Sequence, residues 1–323
     1  MTHLAIDLLG ADTPQEELCR GAVAALKKTK ALFLSLCGDR EVIAPLMEKS
    51  GIPQDRYEVV HAPVAITNYD DPMTCYKQEN ASLVRAMQIA RDSGGGVVSC
   101  GATGAVLVSS IMIFGKINRL HPILAVELVN VNGGALLLLD CGANIDTRPE
   151  LYPSFAHLGN AYMHCIGNAD PRIALLSNGA EETKGCEAVK AAHVLLKQEK
   201  GIRFIGNVEA THALDGTTDV IVCDGFHGNI LLKSIEGTAK AVISELEART
   251  RAFPALGPMT AHLLQDIRKK YDYNTQGGAI LLGVSRPVMK GHGSATGEAV
   301  EKMIDRAGAL VRNGFVEQVK KEL

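Results

Sequence analysis

At 323 residues the chain can form one large α/β unit or two modest domains, and its 46% apolar content is enough for a sizeable core. A net charge of −3, with Lys and Arg scattered along the chain, excludes the electrostatic footprint of a nucleic-acid binder. Eight cysteines show no paired short spacing, which reads as reduced, mostly buried thiols in a cytoplasm rather than a disulfide framework.

The first residues, MTHLAIDLLG, lack the basic flank and cleavage site of a signal peptide and enter a strand directly. In chain order the pattern predicts a strand at 4–7, a helix at 14–28, a strand at 31–37, a helix at 40–49 closed by Gly51, and a strand at 57–61. A helix at 78–93, a strand at 97–100 and a helix at 105–114 repeat the rhythm around the turn Gly101-Ala102-Thr103-Gly104. Strands follow at 123–128 and 135–140, then a helix at 151–165, a strand at 172–176, and the turn 178–185 before a helix at 186–198. A short strand at 203–205 with a turn at 206–209 precedes VIVCDGFHGNILLKSIEG at 220–237, which reads as strand, glycine turn and helix start. In open α/β sheets such turns carry ligands, and free N–H groups at helix starts attract anions. Several of them gathered on one edge of a sheet would make an anion cleft.

From 235 to 273 the rhythm breaks into a long helical stretch interrupted by Phe253-Pro254-Ala255-Leu256, an arm whose apolar tip would meet a second subunit, a membrane surface or its own core. Strands at 280–282 and 287–290, the turn Gly291-His292-Gly293-Ser294 and a helix at 297–323 complete the chain. No histidine or cysteine pair has metal-ligand spacing, and there is no GxGxxG after the first strand, no GxSxG and no GxxxxGK[ST]. The remaining polar turn residues fit phosphate better than a carboxylate-rich hydrolase, and neither metal nor cofactor is expected.

Longer motifs sharpen this expectation: LLDxGAN at 138–144, an NxGxExxKG-like turn at 176–185, FIGNVEA at 204–210, DGFxGN at 224–229, LKxxEG at 232–237 and GGAxLxGxxxPVxKxHGS at 277–294. In these the chain resembles, nearly end to end, the phosphate acyltransferase family of bacterial phospholipid synthesis. The resemblance implies a single domain over 1–323 with a helical arm at about 238–273. Its fold would be a three-layer α/β/α sandwich like isocitrate dehydrogenase and phosphotransacetylase. It implies transfer of a fatty acyl group from acyl carrier protein to inorganic phosphate, a homodimer, a cytoplasmic location with peripheral membrane contact, and a membrane-bound glycerol-phosphate acyltransferase downstream.

Departures from the family pattern stand at Ala11, Ala102, His121 and the thinned basic stretch Tyr76-Lys77-Gln78-Glu79. Within the motifs, Lys184 is the candidate to neutralise phosphate or an oxyanion, with Asn229 orienting phosphate, Asp224 shaping the turn and His292 or His227 protonating the departing thiol. Gly101, Thr103, Gly104, Asp140, Asn144, Gly179, Glu181 and Gly228 are the substrate-binding candidates, and Cys100, at a helix start, is a candidate for transient acylation. Two alternatives remain open at this point: acetyl transfer to phosphate, as in a glycine reductase component, and a non-catalytic carrier-binding paralogue.

Overall fold

The structure, a computed structural model, describes residues 1–251, 257–271 and 277–322. The apolar tip expected at 253–256 lies outside the described residues. The first part alternates strand and helix: β1 (Thr2–Asp7), α1 (Gln15–Lys28), β2 (Leu32–Gly38), α2 (Arg40–Ser50), β3 (Tyr57–His61), α3 (Ser82–Ser93), β4 (Gly96–Ser99) and α4 (Thr103–Phe114). An antiparallel pair, β5 (Ile123–Val129) and β6 (Ala135–Leu139), leads to α5 (Tyr152–Cys165), β7 (Arg172–Ser177), α6 (Glu187–Gln198), β8 (Arg203–Glu209), β9 (Val220–Val222) and α7 (Gly225–Arg251). After α8 (Gly257–Tyr271), which packs on α7, come β10 (Ala279–Leu282), β11 (Val288–Lys290), α9 (Gly297–Arg312) and α10 (Phe315–Glu322).

Among the described residues, eleven strands join one sheet, in the order β3-β2-β1-β4-β11-β10-β5-β6-β9-β7-β8. Alternate residues of each strand feed two separate cores. Leu4, Ile6 and Val98 pack with α1, α5, α6 and α9 on one face, whereas Ala5, Val97 and Leu138 pack with α3, α4 and the start of α7 on the other. Burial on both faces explains why the strands read as unbroken apolar runs, and it produces the expected three layers. In α1 the buried Leu18, Cys19, Ala22, Ala25 and Leu26 form one helical stripe, and Gly51 ends α2 in the left-handed conformation.

The direction of the strands changes partway across the sheet. β1 to β4 and β11 run parallel to one another, β10 and then β5 each pair antiparallel to the strand before, and β6 reverses again. β9, β7 and β8 then follow β6 in parallel. The C-terminal ends of β1, β4 and β11 therefore point to one rim of the sheet, and those of β6, β7, β8 and β9 to the opposite rim. The single ligand-bearing edge expected from the turns is corrected by these antiparallel pairings, which depend on contacts distant in sequence.

Local boundaries also differ from the sequence reading. β8 continues through Gly206 to Glu209, where a turn was expected, because Gly206 adopts a φ of 99° and a register shift opposite Ile173 and Leu175 absorbs the extra residue. The last helix is two helices, since Gly314 sits at a φ of 65° between α9 and α10. α7 starts at Gly225 and runs unbroken to Arg251, so Gly228 and Asn229 lie inside its first turns.

Two glycines of α7 are expected to respond oppositely to alanine. A Cβ on Gly228 would stand 2.0 Å from the Asp140 carbonyl oxygen, while one on Gly237 meets nothing within 4 Å among the described residues. Gly228→Ala should lower unfolding free energy by at least about 2 kcal/mol, and Gly237→Ala should raise it by about 0.5–1 kcal/mol. Urea unfolding of the two variants beside the parent reads both signs.

Candidate functional site

At the rim formed by β1, β4 and β11, three turns meet around a buried carboxylate. Asp7, 3% exposed, accepts hydrogen bonds from Ser82 Oγ at 2.5 Å, Ser99 Oγ at 2.6 Å and the Leu9 N–H at 3.2 Å. Burial pushes its pKa up, against the pull of those donors. Lys290, closing β11, is 7% exposed, donates to the Gly291 carbonyl and has its pKa lowered by burial. Gly10, at a φ of 77°, lets the first turn approach Gly101, while Gly293 accepts from the N–H groups of Asp12 and Thr13 at 2.8 and 3.0 Å.

Gly101, Thr103, Gly104 and His292 belong to this rim. Gly101 donates its N–H to Ser99 Oγ at 3.1 Å, and His292 Nδ1 is 2.8 Å from Ser294 Oγ. α4 begins at Thr103 after Ala102, a residue without a polar side chain, so no side chain caps the helix. Its first-turn N–H groups are the kind that helix geometry leaves open to an anion. Gly104 faces Pro72, whose ring would stand 3.0 Å from a Cβ there. Cys100 lies beneath this turn at 2% exposure, with its pKa pushed up to about 12 mainly by burial. Desolvation is the largest cause of that rise, the opposite of what activation of the thiol for acylation needs.

The second rim, at the ends of β6, β7 and β9, is organised by Asp140. This carboxylate is fully buried and accepts from five donors: the N–H groups of Leu124, Gly142, Ala143 and Asn144, and Asn144 Nδ2. Burial raises its pKa while these donors oppose the rise. Asn144 also donates to the Pro122 carbonyl and accepts the Gly225 N–H. Asp140 and Asn144 thus hold the turn against the start of β5 and the start of α7. The anion site expected at α7 is closed in a similar way. Asp224 Oδ1 caps the N–H groups of Phe226 and His227, both at 2.9 Å, and the Gly228 N–H bonds back to the Asp224 carbonyl.

Asp224 has a second partner: its Oδ2 lies 2.6 Å from His227 Nδ1. The pair lines a cavity of about 630 Å³ with Tyr152, Asn178, Gly185, Cys186 and apolar side chains of α6 and α7. Beside it the β7 turn is pinned by Asn178 Oδ1, which accepts the Gly185 N–H, and by Asn207 Nδ2, which donates to the Glu181 carbonyl. The Lys184 and Glu181 side chains pass over Gly179, where a Cβ would stand 2.6 and 2.8 Å from them. Lys184 and Asn229 are exposed on this rim.

Lys184, Glu181, Gly179, Asp224, Gly228, Asn229, Asp140 and Asn144 are therefore brought to one rim, and Gly101, Thr103, Gly104 and His292 to the other. From β4 to β9 is five strand steps, and from β4 to β7 is six. At ~4.8 Å per step these are separations of roughly 24 and 29 Å. Lys290 was not assigned a site role from sequence, although a lysine closing a short apolar strand before a Gly-His-Gly-Ser turn was a usable signal. Among the described residues no group of three or more His, Cys, Asp or Glu is placed to hold a metal.

Comparison with known proteins places this architecture. Residues 2–318 match the family described as fatty acid synthesis protein. The chain belongs to that family. Among its relatives is a phosphate acyltransferase of Geobacillus thermodenitrificans, 36% identical over 328 residues, covering 99% of this chain and 98% of the relative. Another is the phosphate acyltransferase of Bacillus licheniformis, 37% identical over 325 residues, covering 98% and 97%. Among solved structures, a EutD phosphotransacetylase from Staphylococcus aureus superposes with a TM-score of 0.63 at 14% identity, covering 96% of this chain and 94% of that one. A phosphotransacetylase from Streptococcus pyogenes gives 0.62 at 16% with the same coverage, a likeness of fold.

Removing the Asp140 carboxylate should cost more than a typical surface change. Asp140→Ala strands buried N–H donors and is expected to lower stability by at least about 3 kcal/mol, read as a drop in the urea midpoint.

Proposed function

We propose that this family member transfers a fatty acyl group from acyl carrier protein to inorganic phosphate, releasing an acyl phosphate for phospholipid synthesis. The observation that carries the reading is the match to phosphate acyltransferases at about a third identity over nearly the whole chain. A phosphate oxygen attacks the thioester carbonyl, forming a C–O bond and a tetrahedral oxyanion, and collapse breaks the C–S bond to release the carrier thiol. Phosphate is nucleophilic at neutral pH, so no acyl-enzyme is needed, and the buried Cys100 with its raised pKa favours direct attack over acylation of that residue. The open start of α4, with Lys290 behind it, is suited to hold the dianion. Lys184 and Asn229 offer a cation and an amide for the developing charge.

Because these two sets lie on opposite rims, they can act on one phosphate only if two copies of the chain meet. We read the functional unit as a homodimer in which the Lys184–Asn229 rim of one subunit faces the α4 start of the other. Exposed Phe226 and Ile230 at the start of α7 support an interface there. Exposed Val242, Leu246 and Leu263 on the helices of the arm support the peripheral membrane contact from which a membrane-bound glycerol-phosphate acyltransferase would receive the product. Among the described residues no helix is long and apolar enough to cross a membrane.

The purified protein, given long-chain acyl carrier protein thioesters and phosphate, should yield acyl phosphate that hydroxylamine traps as hydroxamate. Product from acetyl thioesters alone, or none, sinks the assignment. The dimeric site is tested by co-expressing Lys184→Ala with Thr103→Asp, each nearly inactive by itself. Random pairing should restore roughly a quarter of the parent activity, since half the dimers would contain one intact composite site. Activity no higher than that of either single variant overturns the shared site.

A further inference from the structure

We propose that the cavity beside the Asp224–His227 pair is the acyl subsite, taking the hydrocarbon chain of the thioester with its carbonyl end toward His227. This deepens the acyl-transfer reading and rests on it. The cavity, about 630 Å³, falls within the range of small-molecule sites. Its wall is largely apolar: Leu176 from β7, Val189 from α6, and Ile230 and Leu231 from α7, with the ring of Tyr152 from α5. The polar groups of that wall are few: Asp224, His227, Asn178, Ser234 and Ser177, whose buried hydroxyl oxygen has no hydrogen-bond partner among the described residues. An apolar wall with a small polar group is the complement of a long acyl chain ending in a thioester. A sugar, nucleotide or second phosphate would need far more polar lining.

The Asp224–His227 pair gives that polar part a role. With Asp224 Oδ2 at 2.6 Å from Nδ1, the Nδ1 proton is held toward the carboxylate. This leaves Nε2 as the nitrogen that can deliver a proton to the departing carrier sulfur. The proton delivered to the carrier sulfur is replaced by the one that phosphate loses on attack, so the count closes over one turnover.

The cavity also contains its own reporter. Of the eight cysteines seven are buried, and Cys186, in this wall, is exposed. At neutral pH a maleimide should therefore label Cys186 ahead of the other thiols. A non-transferable palmityl thioether of pantetheine should slow that labelling at least tenfold, whereas inorganic phosphate or the methyl thioether should not. Equal rates with and without the palmityl thioether overturn the proposal. In parallel, Val189→Trp, which fills the cavity, should shift the ratio of kcat/KM for long over short acyl thioesters downward by about tenfold or more, because each methylene excluded forfeits its burial. An unchanged ratio in a variant with native circular dichroism also overturns it. The labelling experiment needs no turnover. Protection without acyl phosphate formation would remove the acyl-transfer reading and leave the subsite, and acyl phosphate formation without protection would do the reverse.

Discussion

The reversal of strand direction between β11 and β6 is the constraint on which the rest of this molecule depends. In a sheet of uniform direction every βα turn would open on the same rim, and one chain could gather all its helix starts around one ligand. Here the antiparallel strands β10, β5 and β6 split the sheet into two parallel sets of opposite polarity, each with its own rim of turns. The family motifs are distributed over both rims. That distribution turns the fold into an argument about assembly, because a phosphate is too small to be shared across several strand spacings.

Each rim is built around a buried carboxylate rather than an exposed one. Asp7 gathers two hydroxyls and an N–H from three segments, and Asp140 gathers five donors from its own turn and the neighbouring strand. A desolvated carboxylate is costly without such donors, and with them it fixes loop geometry tightly. The two helix starts then diverge in character. Asp224 caps α7 and closes it to anions, whereas Ala102 leaves α4 uncapped. A polar residue at position 102 would compete with a ligand for the same N–H groups, so the alanine is consistent with a site kept open.

Much of the fold was legible from local pattern. Strand β3 was read at its observed limits and β1, β2 and α2 within two residues, because apolar runs bounded by glycine, proline and charged residues report local periodicity directly. β8 was cut short because Gly206-Asn207 has the composition of a turn, and only pairing with β7 keeps it extended. The site was half legible. Motif residues were found, but their division between rims requires knowing which strands pair. The Leu124 N–H that reaches Asp140 and the approach of the Lys290 charge to Asp7 arise from strands brought together by the sheet, whereas the other donors to Asp140 belong to its own turn. Cys186 was read only as a helix start, since nothing near it in sequence announces a cavity whose walls come from α5, α6 and α7.

The place of β10 and β11 carries a consequence for how the chain is made. These strands, from residues 279–290, lie between β4 and β5 in the middle of the sheet. Until they emerge from the ribosome, β4 and β5 are bare edges of two unjoined half-sheets, each with unpaired backbone groups that invite pairing with other chains. Completion of the sheet must therefore wait for the last seventh of the polypeptide, and a nascent chain stalled before it would be a substrate for chaperones or for aggregation.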